Sequence, residues 1–346
     1  MKHILLLMSL LIFLFSKKGF VQNLIAVNSG NNASFYQDVS SAFAAAQNGD
    51  YIYLPGGTFD ISTWDIDKGV HVIGAGHYPD STTATLPTHL YGNIRIVTGA
   101  SNGSLSGFYM TGSIQIGTGG SDMDVDFFEI KRLSTGNIFL SHDGSSPSDA
   151  TYISVKDCVI RGVLDGGNAQ NVEISNNFIQ AQTRYFNANV VFANNIFFKS
   201  GSSNATDRTL VDVDYATFEN NIFNNSQYLE SSCSGLIFYN NSFKDGVSLS
   251  GFVSSGNIFG ELLSATFVNQ NGSSGFSYSH DYHLSPGSNA NGAGRGGTDI
   301  GIYGGLSPYK DGAVPRNPHI QSSSIDGATD NAGNLNLDIK VAAQDR

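Results

Sequence analysis

The residues able to do chemistry are few and far apart. In Leu210-Val-Asp-Val-Asp-Tyr the alternation turns Val211 and Val213 inward and sets Asp212 and Asp214 outward on one face of an extended strand. Two carboxylates on one face are what hydrolysis of a glycosidic bond asks for, one protonated and one ionised. A second acidic run, Asp122, Asp124 and Asp126, alternates with Met123 and Val125 and offers the oxygen ligands that hold a hard cation such as calcium. A straight strand spaces alternate carboxylates about 7 Å apart, so one ion is shared only where the segment curls. The eight histidines show no metal-ligand spacing, and His280-Asp-Tyr-His283 reads as packing and hydrogen bonding. Cys158 and Cys233 read as buried single thiols, because their segments fall on different parts of the repeat described next. Acidic side chains also keep surfaces soluble, so the chemistry turns on the elements that carry them.

Those elements come from one returning phrase. It reads Val172-Glu-Ile-Ser-Asn-Asn-Phe-Ile, Val191-Phe-Ala-Asn-Asn-Ile-Phe, Thr217-Phe-Glu-Asn-Asn-Ile-Phe, Ile237-Phe-Tyr-Asn-Asn-Ser-Phe and, more weakly, Val253-Ser-Ser-Gly-Asn-Ile-Phe. The second asparagine falls at Asn177, Asn195, Asn221, Asn241 and Asn257, in steps of 18, 26, 20 and 16 residues. A degenerate copy, Ile153-Ser-Val-Lys-Asp-Cys-Val-Ile, puts Cys158 in that place. Steps near 20 with variable insertions mark stacked supersecondary units. Apolar residues at alternate positions make a short half-buried strand, the Asn pair makes a tight corner, and the following Phe or Ile opens a second strand. Stacked at about 4.8 Å, the asparagines of successive units can hydrogen-bond into a ladder. An antiparallel sandwich or a propeller shares this composition, but its repeats fall at about 8 to 12 or about 40 residues.

Composition narrows the class. Of 346 residues only 14% are charged and 40 are glycine, which excludes a coiled coil, a helical array and a charged disordered chain. The net charge of −11, with no cluster of Lys and Arg, excludes a nucleic-acid surface. Lys2 and His3 precede an unbroken apolar run from Ile4 to Phe15, too short to span a bilayer and of signal-peptide length. Residues 1–22 are therefore expected to be a signal peptide and the chain to be secreted or held at the cell surface. No later segment is apolar enough to cross a membrane.

The repeat resembles that of right-handed parallel β-helix proteins, the superfamily of pectate lyases and polygalacturonases. Two flanking segments carry the resemblance further. A short amphipathic helix at about 38–47, Asn48-Gly-Asp, the strand Tyr51-Ile-Tyr-Leu-Pro and Val70-His-Val-Ile-Gly-Ala-Gly look like the N-terminal cap and first turns. Asp281-Tyr-His-Leu-Ser-Pro-Gly-Ser and Asp299-Ile-Gly-Ile-Tyr-Gly-Gly resemble the last-coil phrases of exported bacterial members. The likeness covers roughly residues 24–305 and is specific for fold.

The resemblance implies a polysaccharide groove lined by the strand before the Asn-bearing one. Counting back from the Asn pair puts Asp165, Arg184 and Glu230 on neighbouring rungs of that flank, with Asp212 and Asp214. A hydrolase would use the acid pair, and a lyase would use a base such as Arg184 with a cation on the uronate. Tyr185, Tyr215, Tyr228 and Tyr239 lie near this groove or its corners, where a ring can stack on a sugar. The pectate lyase pattern Trp-x-Asp-His and the polygalacturonase phrases Asn-Thr-Asp and Gly-His-Gly are missing, so no catalytic residue carries over.

The expectation is an all-β, right-handed parallel β-helix over residues 23–305 with a short N-terminal helical cap. Residues 306–346 should form a covering strand segment over the last coil. The expected partner is a polysaccharide, as substrate of a lyase or glycoside hydrolase or as ligand of a non-catalytic adhesin, glycan-binding or envelope protein. Calcium is the candidate cofactor.

Overall fold

Strands of two to four residues recur along the chain because each apolar alternation is cut short by a residue in the left-handed region. At the repeated corner the first asparagine takes this role: Asn176, Asn194, Asn220 and Asn240 have φ of 56°, 56°, 57° and 52°. The second asparagine turns inward. The computed structural model describes residues 24–117, 124–141, 150–167, 169–199, 201–224, 228–270, 275–313, 319–330 and 332–342. The signal-peptide segment and Asp122 lie outside them.

A single 26-stranded sheet dominates, and it is mostly parallel. Each strand pairs with its counterparts about one repeat before and after. Val172–Ser175, for example, lies between Ser154–Lys156 and Thr183–Ala193. This all-β pairing is compatible with a β-helix-like solenoid. Among the described residues, antiparallel pairs occur in the main sheet only at its start, where Ile25–Ser29 meets Asn32–Tyr36 and Tyr51–Tyr53. The helix there runs over Val39–Ala45, with the Asp38 carboxylate accepting from the Ser41 amide at 2.7 Å. The Lys68 ammonium donates to the carbonyls of Phe43 and Ala46 at the helix's C-terminal end.

The core is stacked by register. Val155, Ile174, Phe192, Phe218 and Phe238 follow one another on successive rungs. The Phe192 and Phe218 rings lie parallel with centroids 4.6 Å apart, and Phe218 and Phe238 at 5.1 Å. Beside them runs the asparagine ladder. Asn195 donates its backbone and side-chain N–H to Asn221 Oδ1 at 2.8 and 3.0 Å, and Asn221 donates likewise to Asn241 Oδ1 at 2.9 and 3.0 Å. Asn177 begins the series and the partly exposed Asn257 ends it. Cys158 donates its backbone N–H to Asn177 Oδ1 at 2.9 Å.

The C-terminal third departs from expectation. The main sheet ends at Ile258–Phe259, so the phrases at Asp281 and Asp299 are not coils of it. Residues 263–270 and 275–309 instead run back along the outside of the strands that follow the Asn corner. There Val159, Phe178, Ile196 and Ile222 form a second buried cluster with Phe267, Tyr282, Ile300, Ile302 and Tyr309. These strands are apolar at consecutive positions, as in Phe178-Ile179 and Ile196-Phe197, because both of their faces are covered. The covering segment reaches the early coils, where the Tyr309 and Tyr78 hydroxyls meet at 3.0 Å and Tyr278 Oη sits 3.0 Å from His77 Nδ1.

The expected covering tail also differs. His319–Ile325 and Leu337–Ala342 pair as an antiparallel hairpin, and every side chain described in it is exposed. The last rung is left open, with Val253, Phe259 and Leu262 at least half exposed. Both thiols are free; Cys158 is buried and Cys233 half-buried, and burial pushes both thiol pKa values up to about 12. Among the described residues no helix is long and apolar enough to cross a membrane.

Candidate functional site

The flank before the Asn-bearing strand exists as an outward row in continuous register. It runs Asp65, Arg95, Gln115, Phe139, Asp165, Arg184, Val211 and Ser231. Asp165 and Arg184 are direct neighbours, and Arg184 Nε donates to Asp165 Oδ2 at 2.8 Å. The other carboxylate oxygen accepts from the Gly167 amide at 3.0 Å. Burial pushes the Asp165 pKa up, against the lowering pull of Arg184. The Arg184 guanidinium lies over the Tyr185 ring at 5.1 Å.

The remaining acids do not join this pair. Glu230 is in register with Leu210, one residue off the row that carries Asp165 and Arg184. Asp212 sits at φ 51°, which breaks the alternation that was to turn Val211 inward. The buried residues there are Leu210 and Val213, and Val211 stands in the outward row with Arg184. Asp214 is one rung from Ser234 and accepts from its amide at 2.7 Å and its hydroxyl at 2.6 Å. Asp212 thus occupies a corner while Asp214 caps the next rung. A one-residue left-handed bend cannot be seen in valine–aspartate alternation, which is why the straight-strand reading failed here.

Of the acidic run, Asp124 is exposed and Asp126 accepts a hydrogen bond from the Thr151 hydroxyl. Among the described residues no three His, Cys, Asp or Glu side chains are placed to share a metal ion. Tyr215 is exposed, and Tyr228 carries the Arg208 guanidinium over its ring at 4.7 Å.

A groove of about 900 Å³ lies on the next face, outside the Asn-bearing strands. Its floor follows the register Ile73, Ser106, Lys131, Lys156, Ser175, Ala193 and Glu219, of which all but the buried Ser106 line it. Six rung spacings of about 4.8 Å make it about 29 Å long. The C-terminal segment forms its far wall with Arg295, Gly296, Thr298 and Gly305–Ser307. Cations and carboxylates pair along it: Lys131 with Glu129, Lys156 with Glu173 at 2.9 Å, and Arg295 with Glu219 at 2.7 Å. The Glu219 carboxylate beside Arg295 raises that guanidinium's pKa. Lys131 and Lys156 stand directly opposite each other on neighbouring rungs, an unfavourable like-charge pairing that the two glutamates offset.

Sequence reasoning missed this groove because its wall comes from residues more than 70 positions downstream of its floor, as in the contact of Arg295 with Glu219. One signal was legible, namely the outward alternation Glu129-Ile-Lys, Ser154-Val-Lys and Glu173-Ile-Ser on successive repeats. No protein-family model and no curated protein sequence matches the chain.

Proposed function

We propose that the chain is an exported, right-handed parallel β-helix protein of the cell exterior that binds a polysaccharide lengthwise in the groove outside its Asn-bearing strands. The observation that carries this reading is the groove's shape. A volume of about 900 Å³ spread over roughly 29 Å leaves a cross-section of about 30 Å², narrow and long, which suits one linear chain better than a compact ligand. Its floor of paired Lys and Glu side chains presents donors and acceptors side by side, suited to the hydroxyls of a neutral or weakly charged glycan. The acidic net charge of −11 disfavours a strong polyanion. The right-handed winding accords with the parallel crossovers, which take that hand almost always.

A second reading, cleavage by a lyase or glycoside hydrolase, is favoured by one observation on the adjoining flank: Asp165 is pushed up in pKa beside a guanidinium. Both of its oxygens are already engaged, which suits an ion pair that holds its position better than a proton donor.

Affinity electrophoresis in gels containing β-glucan, mannan, xylan, galactan or polygalacturonate tests the groove. At least one polymer should retard the parent protein, and Lys156→Gln with Glu173→Gln should weaken that retardation at least about tenfold. This pair is partly exposed, so its loss spares the fold. Passage through every gel without retardation overturns the proposal. Release of reducing ends or new unsaturated product, abolished by Asp165→Asn, would establish the second reading.

A further inference from the structure

A second line of left-handed residues runs beside the groove, at the corner that enters the Asn-bearing strands. Two positions before Ser104, Glu129, Ser154, Glu173, Val191 and Thr217, which stack in register, stand Asn102, Phe127, Tyr152, Asn171, Asn189 and Tyr215. All six have φ between 50° and 65°. Asparagine at such a position is ordinary, whereas a bulky aromatic there is an outlier held against its own backbone preference. Core packing does not account for Phe127 and Tyr152, which are 56% and 53% exposed. Their rings lie parallel within 3°, with centroids 4.7 Å apart. The Phe127 amide donates to the Thr151 carbonyl and the Tyr152 amide to the Gln170 carbonyl, so the backbone holds both rings in place.

We propose that Phe127 and Tyr152 form an aromatic stacking subsite for a sugar ring on the rim of the groove. The two rings cover one another on one face, and the half of each that stays exposed borders Asn102 or Asn171 on the neighbouring rung. A pyranose has an apolar C–H face that stacks on such a ring and a rim of hydroxyls that hydrogen-bond to amides, and the row supplies both kinds of group side by side. Glu129 and Glu173, two residues on from Phe127 and Asn171, line the groove, so a chain lying there passes beneath the rings. Strain kept at an exposed position that core packing does not repay points to a functional role. This inference rests on the proposed polysaccharide groove and names how part of it recognises sugar.

The test replaces both rings by the residue the row uses elsewhere, Phe127→Asn with Tyr152→Asn. Asparagine favours the same backbone conformation, so the double variant should melt at or above the temperature of the parent. It should bind at least about tenfold more weakly to whichever of the five polysaccharides retards the parent. Undiminished binding overturns the subsite and leaves the groove standing. A melting temperature clearly below that of the parent shows the rings to be structural and likewise overturns it. Failure of the parent to bind any of the five polymers overturns the groove and the subsite together.

Discussion

Replacing Asn221 by Ala removes the middle of the asparagine ladder. The side chain is fully buried. Its Oδ1 accepts from Asn195 N and Nδ2 at 2.8 and 3.0 Å, and its Nδ2 donates to Phe192 O at 2.8 Å and Asn241 Oδ1 at 3.0 Å. Truncation strands the Asn195 backbone N–H away from water, at about 1–3 kcal/mol, and forfeits the net value of further bonds at about 1 kcal/mol each. With three further bonds lost, the expected loss is about 4–6 kcal/mol. Asn257 holds the same place on the last rung, where it accepts from Asn241 N at 2.8 Å. The end of the stack is open there, so water replaces the lost acceptor and Asn257→Ala should cost about 1 kcal/mol. Asn221→Asp should be worse than Ala at neutral pH, since it sets a buried carboxylate against two acceptors, Phe192 O and Asn241 Oδ1. Urea unfolding followed by far-ultraviolet circular dichroism, with the slope held in common, measures each loss. Equal costs at Asn221 and Asn257, or a cost below about 1 kcal/mol at Asn221, would refute the reasoning that burial of an unpaired amide sets the magnitude.

Two pH effects follow from buried titratable groups. Burial lowers the His77 pKa from 6.5 to about 3, so its contribution to stability is complete above 6.5 and is lost as the pH falls towards 3, by about 1.4 kcal/mol per pH unit. Because His77 joins the early coils to Tyr278, His77→Gln should flatten the fall in melting temperature between pH 6.5 and 4, and an unchanged slope would count against this. Asp165 has the opposite sign: its folded pKa is raised above 3.8, so the folded protein binds this proton more tightly and stability declines as the pH rises from 3.8 through the raised value. Asp165→Asn should remove that decline, while Arg184, about a third exposed, keeps access to water; a steeper decline in the variant would contradict the assignment.

The repeat was legible because its signal is local. Alternating Val, Ile and Phe before an Asn pair declares which side chains turn inward, and the corner chemistry of Asn declares where each strand stops. Even there the two asparagines divide the labour in a way that composition conceals, the first bending the chain and the second facing inward to bond with its neighbours. The apolar pairs after the corner, such as Ile196-Phe197, carried a message that strand periodicity alone leaves unread, namely that something must cover both faces.

From the sequence alone came the strands, the corners and the stacking of one repeat upon the next, because hydrophobic alternation and backbone preference act over a few residues. Tertiary structure alone decided which distant segments meet. It laid residues 263–270 and 275–309 along the flank rather than across the end, raised one wall of the groove, put Asp165 beside Arg184 and left Glu230 one residue off their row. It also gathered Phe127 and Tyr152 into one exposed stack from positions 25 residues apart. The reason is that repeats separated by 16 to 26 residues come into register through inserted loops of unequal length, so the juxtaposition of outward side chains depends on the accumulated register of the whole parallel sheet.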